Sequence, residues 1–356
     1  MAPPVRSACP VHPARRGQRG AAVLLALFIV TLAVLIVTDL FWRQFVLFRS
    51  IENQETDAQA RLLLHGAQDW ARTILQDQTH PTYDALTDPW AQPLAQTRLD
   101  QLGETAPLAA AATLEGGIED AQARFNLRNL VDSTGNINPV QLAILDKLAS
   151  LLSAPSGTAQ LIALYVAQAY AAGAPAVAAG STAATVADAT AGTNGATGSG
   201  ATSTASAGAT AGSGGIRPLP PVFPEDLAAV PGIDPGVALT LAHFVIVLDQ
   251  TNTPVNFNTA PAELMAATIP DLSISDANTL AAERDRAYFI SVGDIQNRLH
   301  GRGGSVFPAG ISTNSQYFIV QGTVRLDRAS SHLRALVRRG GTGAQSSVGL
   351  LWERDQ

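Results

Sequence analysis

Oxygen-bearing side chains alternate at Asp132, Thr134 and Asn136 within DSTGNIN, the spacing with which calcium loops present their first ligands. An EF-hand would place glycine at the sixth position and an acidic residue at the twelfth, where this chain has Ile137 and Ala143. Asp132, Thr134 and Asn136 are therefore the candidate metal residues and calcium the candidate cofactor, with a plain turn as the competing reading. The six histidines, at positions 12, 65, 80, 243, 300 and 332, have no His-Glu-x-x-His spacing, so packing or partner contacts are expected of them.

Catalytic signatures are equally sparse. No Gly-x-Ser-x-Gly or Ser-x-x-Lys occurs, and the single lysine, Lys147, lies in the apolar run LAILDKLASLL rather than in a phosphate-binding loop. GRGGS, near Gly301, lacks a strand before it and a helix after it, and reads as a loop. VNFNTAPAEL, from Val255 to Leu264, resembles the opening of helix-hairpin-helix DNA-binding modules of competence proteins. Such modules lay glycine backbone N–H groups on phosphate. Here the second hairpin, IPDLSIS, has no glycine, and the first, VPGIDPG, has the acidic neighbours Glu225, Asp226 and Asp234. A structural role is expected for both. The net charge of −6, about −10 without the first 20 residues, also argues against broad binding to a phosphate backbone.

The elements that would position these residues begin with RRGQRGAAVLLALFIVTLAVLIVT. Ala21 to Thr38 is uncharged and as a helix would span roughly 27 Å, enough for a thin bilayer. Arginines in front of it hold that end in the cytoplasm, and Phe41, Trp42, Phe45 and Phe48 suit the far interface. No small-residue cleavage site follows the apolar run. The only cysteine, Cys9, precedes it, so the remainder folds without disulfides. Proline is absent from Ile51 to Gln78, and Leu63, Ala67, Trp70 and Ile74 fall on one helical face. One long helix is expected, packed under a head, with Asp39 and Arg43 paired at i,i+4.

Prolines at 81, 89, 93 and 107 mark an irregular connection, and a hairpin is expected around Glu-Gly-Gly of AATLEGGIEDAQARFNL. Asn138 caps a helix that has Pro139 at its first position, and GTAQLIALYVAQAYAAG forms another. The Gly/Ala/Ser/Thr tract 173–215 cannot bury enough apolar surface to order itself and reads as a disordered insertion. Two helix-turn-helix passages follow, starting at PPVFPEDL and PVNFNTAP. Three strands then close the chain, with Phe318, Val320, Val324 and Leu326, next Leu333, Ala335 and Val337, and last Val348, Leu350 and Trp352 facing one way.

Gly20-Ala21-Ala22 resembles the prepilin-peptidase site of type IV pilins and secretion pseudopilins. With RFNLRNLVD (Arg124 to Asp132), TPVNFNTAPAEL (Thr253 to Leu264) and QYFIVQGTVRL…VGLLWERDQ, the whole chain resembles the minor pseudopilin K family of type II secretion. The resemblance implies an α+β fold: a pilin-like long N-terminal helix and antiparallel sheet, interrupted by a large α-helical insert with helix-hairpin-helix-like (SAM-like) repeats. It implies a leader ending at Gly20, a new N-methylated terminus at Ala21, and Leu25 at the mature fifth position, where most members of the wider pilin superfamily carry Glu and where its absence is associated with the K-type minor pseudopilin. The long 173–215 tract departs from the family plan.

The expected divisions are a cytoplasmic leader 1–20, the long helix 21–78 with its membrane half 21–38, the first part of the head 79–124, the helical insert 125–300 and closing strands 301–356. A single-pass inner-membrane protein with its body in the periplasm and no enzymatic activity follows from the resemblance. Its implied partners are minor pseudopilins I and J, pseudopilus core subunits and the prepilin peptidase, and no nucleic acid. The rivals are a membrane-anchored DNA-uptake protein and an anchored hydrolase with a dispersed triad.

Overall fold

The computed structural model describes residues 19–77, 80, 82–102, 112–132, 134–171, 218–301, 310–326, 329–341 and 347–355; most of the expected leader and the tract 173–215 lie outside them. The first helix, α1 (Arg19–Gln76), is continuous for 58 residues, roughly 87 Å at the α-helical rise. Its apolar first half is exposed, and burial begins at Ala60. Asp39 and Arg43 pair at 2.9 Å as their spacing predicts.

After a short 3-10 turn at Pro89–Ala91 come β1 (Leu94–Arg98) and β2 (Ala112–Asp120). The expected hairpin at Glu-Gly-Gly does not form. β2 runs straight through it, and Gly116 fits mid-strand because a Cβ there would lie 2.6 Å from the Gln321 carbonyl oxygen. The chain then leaves the sheet through β3 (Phe125–Asn126), α2 (Pro139–Leu151), α3 (Thr158–Ala171), α4 (Pro235–Ala242), β4 (Val245–Ile246), β5 (Val255–Asn256), α5 (Ala262–Thr268), α6 (Ile274–Arg286), α7 (Val292–Leu299) and β6 (Ile311–Ser312). Asn138 Oδ1 accepts from Val140 N at 3.0 Å, capping α2 as expected. PEDLAA, expected as a helix, is a 3-10 turn at Pro224–Ala229, bounded by Pro224 and Pro231.

The chain returns as β7 (Tyr317–Leu326), β8 (Ala329–Gly340) and β9 (Ser347–Asp355), giving a five-stranded antiparallel sheet in the order β1-β2-β7-β8-β9. Because β2 and β7 are neighbours, everything between them is an insertion at one end of a strand pair. α1 lies on one sheet face. Its lower part packs Ala60 and Leu64 against Leu114, Val324 and Leu326, and its upper part packs Ala71 and Leu75 against Trp90, Phe318 and Val320. Asp120 and Tyr317, where the insertion leaves and returns, are thus at the end of the sheet farther from the apolar half of α1. The inserted helices have their own core around Phe125, Leu145, Ile162 and Phe257, and the insertion meets the other sheet face through Ala121, Ile246 and Leu248, which cluster with Ile319, Leu336 and Trp352.

Trp352 departs from its expected face. A bulge opposite Leu336 and Val337 adds one residue to β9, which turns Trp352 away from α1, and its ring meets Phe223 of the insertion edge-on at 5.1 Å. Leu350 remains on the α1 side but is 43% exposed near the sheet edge.

Candidate assembly site

Gly20 and Ala21 lie in the first turn of α1, and Leu25 projects one turn later from a wholly exposed apolar surface. Among the described residues, α1 is the one helix long and apolar enough to cross a membrane, with a mean hydropathy of 3.0 over its best window, which fits a single-pass anchor. Above that window Trp42 and Phe45 approach to 6.4 Å, and Arg49 lies over the Phe45 ring at 5.4 Å while pairing with Glu52 at 3.0 Å. Exposed aromatic rings beside an arginine are the groups expected at a membrane–water boundary.

The candidate metal residues are brought together but use their polar atoms on one another. Asp132 Oδ1 accepts from Thr134 N at 2.8 Å, Thr134 Oγ1 at 2.6 Å and Asn136 N at 2.9 Å, and Asn136 Nδ2 donates to Thr134 Oγ1 at 2.8 Å. The Thr134 hydroxyl, then the Asn136 N–H, hold the Asp132 carboxyl below its ordinary value. This arrangement is an Asx-type turn with Gly135 at φ 86°. It does not fit the six to eight inward oxygens of a calcium shell. No cluster of three or more His, Cys, Asp or Glu able to hold a metal occurs among the described residues.

RFNLRNLVD and TPVNFNTAPAEL form the joint between sheet and insertion. Asn126 Nδ2 donates to Gln250 O at 2.7 Å while its Oδ1 accepts from Leu248 N at 3.0 Å; Asn129 holds Thr253 through both backbone groups, at 2.8 and 3.0 Å. Asn256 and Asn258 are fully buried. Asn256 donates to Asp120 Oδ2 at 2.9 Å, and Asn258 donates to Phe289 O at 2.9 Å and accepts from Phe289 N at 2.8 Å. Side chains used in this way do not face a nucleic-acid backbone.

Sequence reasoning missed the centre of the joint. Asp120 Oδ2 also accepts from Thr259 and Ser315 hydroxyls at 2.5 and 2.6 Å, and its Oδ1 accepts from Gln122 N at 2.8 Å. Burial nevertheless pushes its carboxyl up to about 6, against the pull of those hydroxyls. Ser315 N also donates to Asp84 at 2.7 Å, linking the segment after α1 to the same joint. Tyr317 OH donates to Asp249 at 2.6 Å, and burial first, then this carboxylate, raises the phenol above its ordinary range.

The joint includes the segment that matches a known family. Residues 255–314 match the family model described as type II secretion system (T2SS), protein K. The chain is similar to type II secretion system protein K. A curated protein of that name from Pseudomonas aeruginosa is 32% identical over 124 residues, covering 33% of this chain and 34% of that protein. The aligned part therefore spans about a third of the relative's length. Among solved structures, a chain in the crystal structure of the GspK-GspI-GspJ complex from the enterotoxigenic Escherichia coli type 2 secretion system aligns with a TM-score of 0.60. It is 18% identical, with 86% of this chain and 99% of that chain covered, and so shares the fold: a long N-terminal helix with an antiparallel sheet and helices.

Proposed function

We propose that this chain is a minor pseudopilin of a type II protein secretion system, resident at the pseudopilus tip, where it initiates or caps assembly for export of folded proteins. The observation that carries this reading is the position of the insertion, at the sheet end roughly 55 Å along α1 from Thr38. A subunit with this bulk above its sheet would obstruct another stacked on it. Similarity to protein K, including the likeness to a chain from a GspK-GspI-GspJ complex, supports minor pseudopilins I and J as partners, with pseudopilus core subunits below.

The proposed maturation is cleavage between Gly20 and Ala21 by prepilin peptidase, followed by N-methylation, leaving Leu25 at the fifth position. The anchor then crosses the inner membrane once, with its N-terminus cytoplasmic and the head periplasmic. The insert is read as helix-hairpin-helix-like in plan, used for structure, and the protein works by binding and assembly without a catalytic step. Intact-mass and N-terminal analysis of membrane-extracted protein, with and without co-expressed prepilin peptidase, tests the proposal. A product beginning at Ala21 only when the peptidase is present is expected; full-length protein in both cases would make the segment an ordinary anchor and remove the filament reading.

A further inference from the structure

Val140, Ala143, Ile144 and Lys147 recur along α2 at the spacing of a single helical face, and the first three are apolar. α5 covers part of that face and leaves a hollow of about 390 Å³ against Ala267 and Pro270. Val140 is 54% exposed on it, whereas Ile144 is buried. The one hydroxyl in the wall, that of Thr268, already donates to Leu264 O at 2.7 Å. The hollow is thus apolar apart from Lys147, and its size falls within the roughly 300–1,000 Å³ of small-molecule sites.

Lys147 stands at one end of this stripe. Its ammonium has three N–H donors, of which Ile269 O takes one at 3.0 Å and Leu272 O another at 3.1 Å. The third finds no acceptor among the described residues. Burial lowers the pKa of this ammonium, and Asp271, which pulls the other way, forms no ion pair with it. A cation partly withdrawn from water beside an apolar hollow is stabilised by an anion that enters there.

We infer that the hollow binds an alkyl carboxylate, a fatty acid of medium chain length. The alkyl chain lies along Val140, Ala143 and Ile144, and the carboxylate accepts from the free N–H of Lys147. Methylenes withdrawn from water supply the affinity, and the ammonium fixes which end of the ligand is charged. This inference stands apart from the secretion reading, because every feature it uses belongs to α2, α5 and the turn after α5.

Lys147 is the single lysine of the chain, so its acetylation by an N-hydroxysuccinimide ester, quantified by peptide mass mapping, reports on this site alone. Full-length protein in lipid nanodiscs is treated at constant ionic strength with butanoate, hexanoate or octanoate. Protection of Lys147 is expected, the half-protecting concentration falling up to about fourfold for each added methylene, and octanol and octylammonium should not protect. Ala143→Phe, which fills the hollow from an exposed position, should weaken octanoate protection at least about tenfold. No protection at millimolar octanoate, equal protection by all three acids or by octanol, or undiminished protection in folded Ala143→Phe overturns the inference. Stronger protection by acetyl-Leu-Glu-amide than by octanoate would assign the hollow to a peptide segment and overturn it as well. If Ala143→Phe fails to fold, Val140→Asp carries the same comparison by setting a charge against the alkyl chain.

Discussion

Arg339 Nη2 on β8 reaches both carboxylate oxygens of Asp84, at 2.8 and 2.7 Å, across 255 residues of sequence and with both side chains 5% exposed. The same nitrogen donates to Ser315 O at 2.7 Å, and the guanidinium lies over the Phe318 ring at 4.8 Å. One ion pair thus ties the segment after α1 to the sheet and to the returning end of the insertion. Burial raises the Asp84 carboxyl despite the pull of Arg339, so desolvation outweighs the attraction.

Removing one partner of a buried pair leaves the other charge uncompensated. Arg339→Met should therefore cost about 3–5 kcal/mol of stability, while Arg339→Met combined with Asp84→Leu should recover part of that loss. Urea unfolding of full-length protein in detergent measures both. A single mutant within about 1 kcal/mol of wild type would show that the pair does not hold the joint.

Asp120 gives a pH dependence of definite sign. Its carboxyl is raised from 3.8 to about 6, chiefly by burial. Between those values the folded state holds a proton that the unfolded state releases, so this group's contribution is full below pH 4 and is lost as pH rises to about 6. The loss amounts to about 3 kcal/mol. Unfolding midpoints collected from pH 4 to 7 should fall less steeply in Asp120→Asn than in wild type; parallel curves would refute the assignment.

The helix seam separates residues that its spacing alone groups together. The expected stripe, Leu63, Ala67, Trp70 and Ile74, does share one face, but it flanks the buried seam of Ala60, Leu64, Ala71 and Leu75, and Trp70 is 48% exposed. Leu64→Ala should cost about 2–5 kcal/mol. Trp70→Ala should cost about 1 kcal/mol or less by the same unfolding assay. Equal losses would mean that Trp70 is buried against the head.

Local signals were legible wherever one residue's chemistry decides. Asn138 and Pro139 announced α2, and alternation at Phe318 to Leu326 announced β7. Trp352 departs from the alternation of its strand because one bulged residue in β9 reverses the period-2 pattern. The joint was hidden for another reason: Asp84, Asp120, Ser315 and Arg339 belong to four distant segments, and only the tertiary fold joins them. Asp132, Thr134 and Asn136 have the spacing of metal ligands, and an Asx turn satisfies that same spacing internally.

Leu25 carries the last prediction. In the proposed mature chain it occupies the fifth position, on a helix surface exposed to whatever surrounds the apolar half of α1. A carboxylate inside lipid costs about 2.5–3.5 kcal/mol unless a cation neutralises it, and in a pseudopilus that cation would be a neighbouring subunit's terminal amine. Leu25→Glu should therefore either weaken membrane retention or give the tip subunit a docking preference that it lacks, and both would disturb assembly. Cross-linking to neighbouring pseudopilins and export of a reporter, at matched membrane levels, read this directly. Unchanged cross-links together with wild-type export would sink the role assigned to the missing carboxylate, while leaving cleavage at Gly20 to be judged by its own mass measurement.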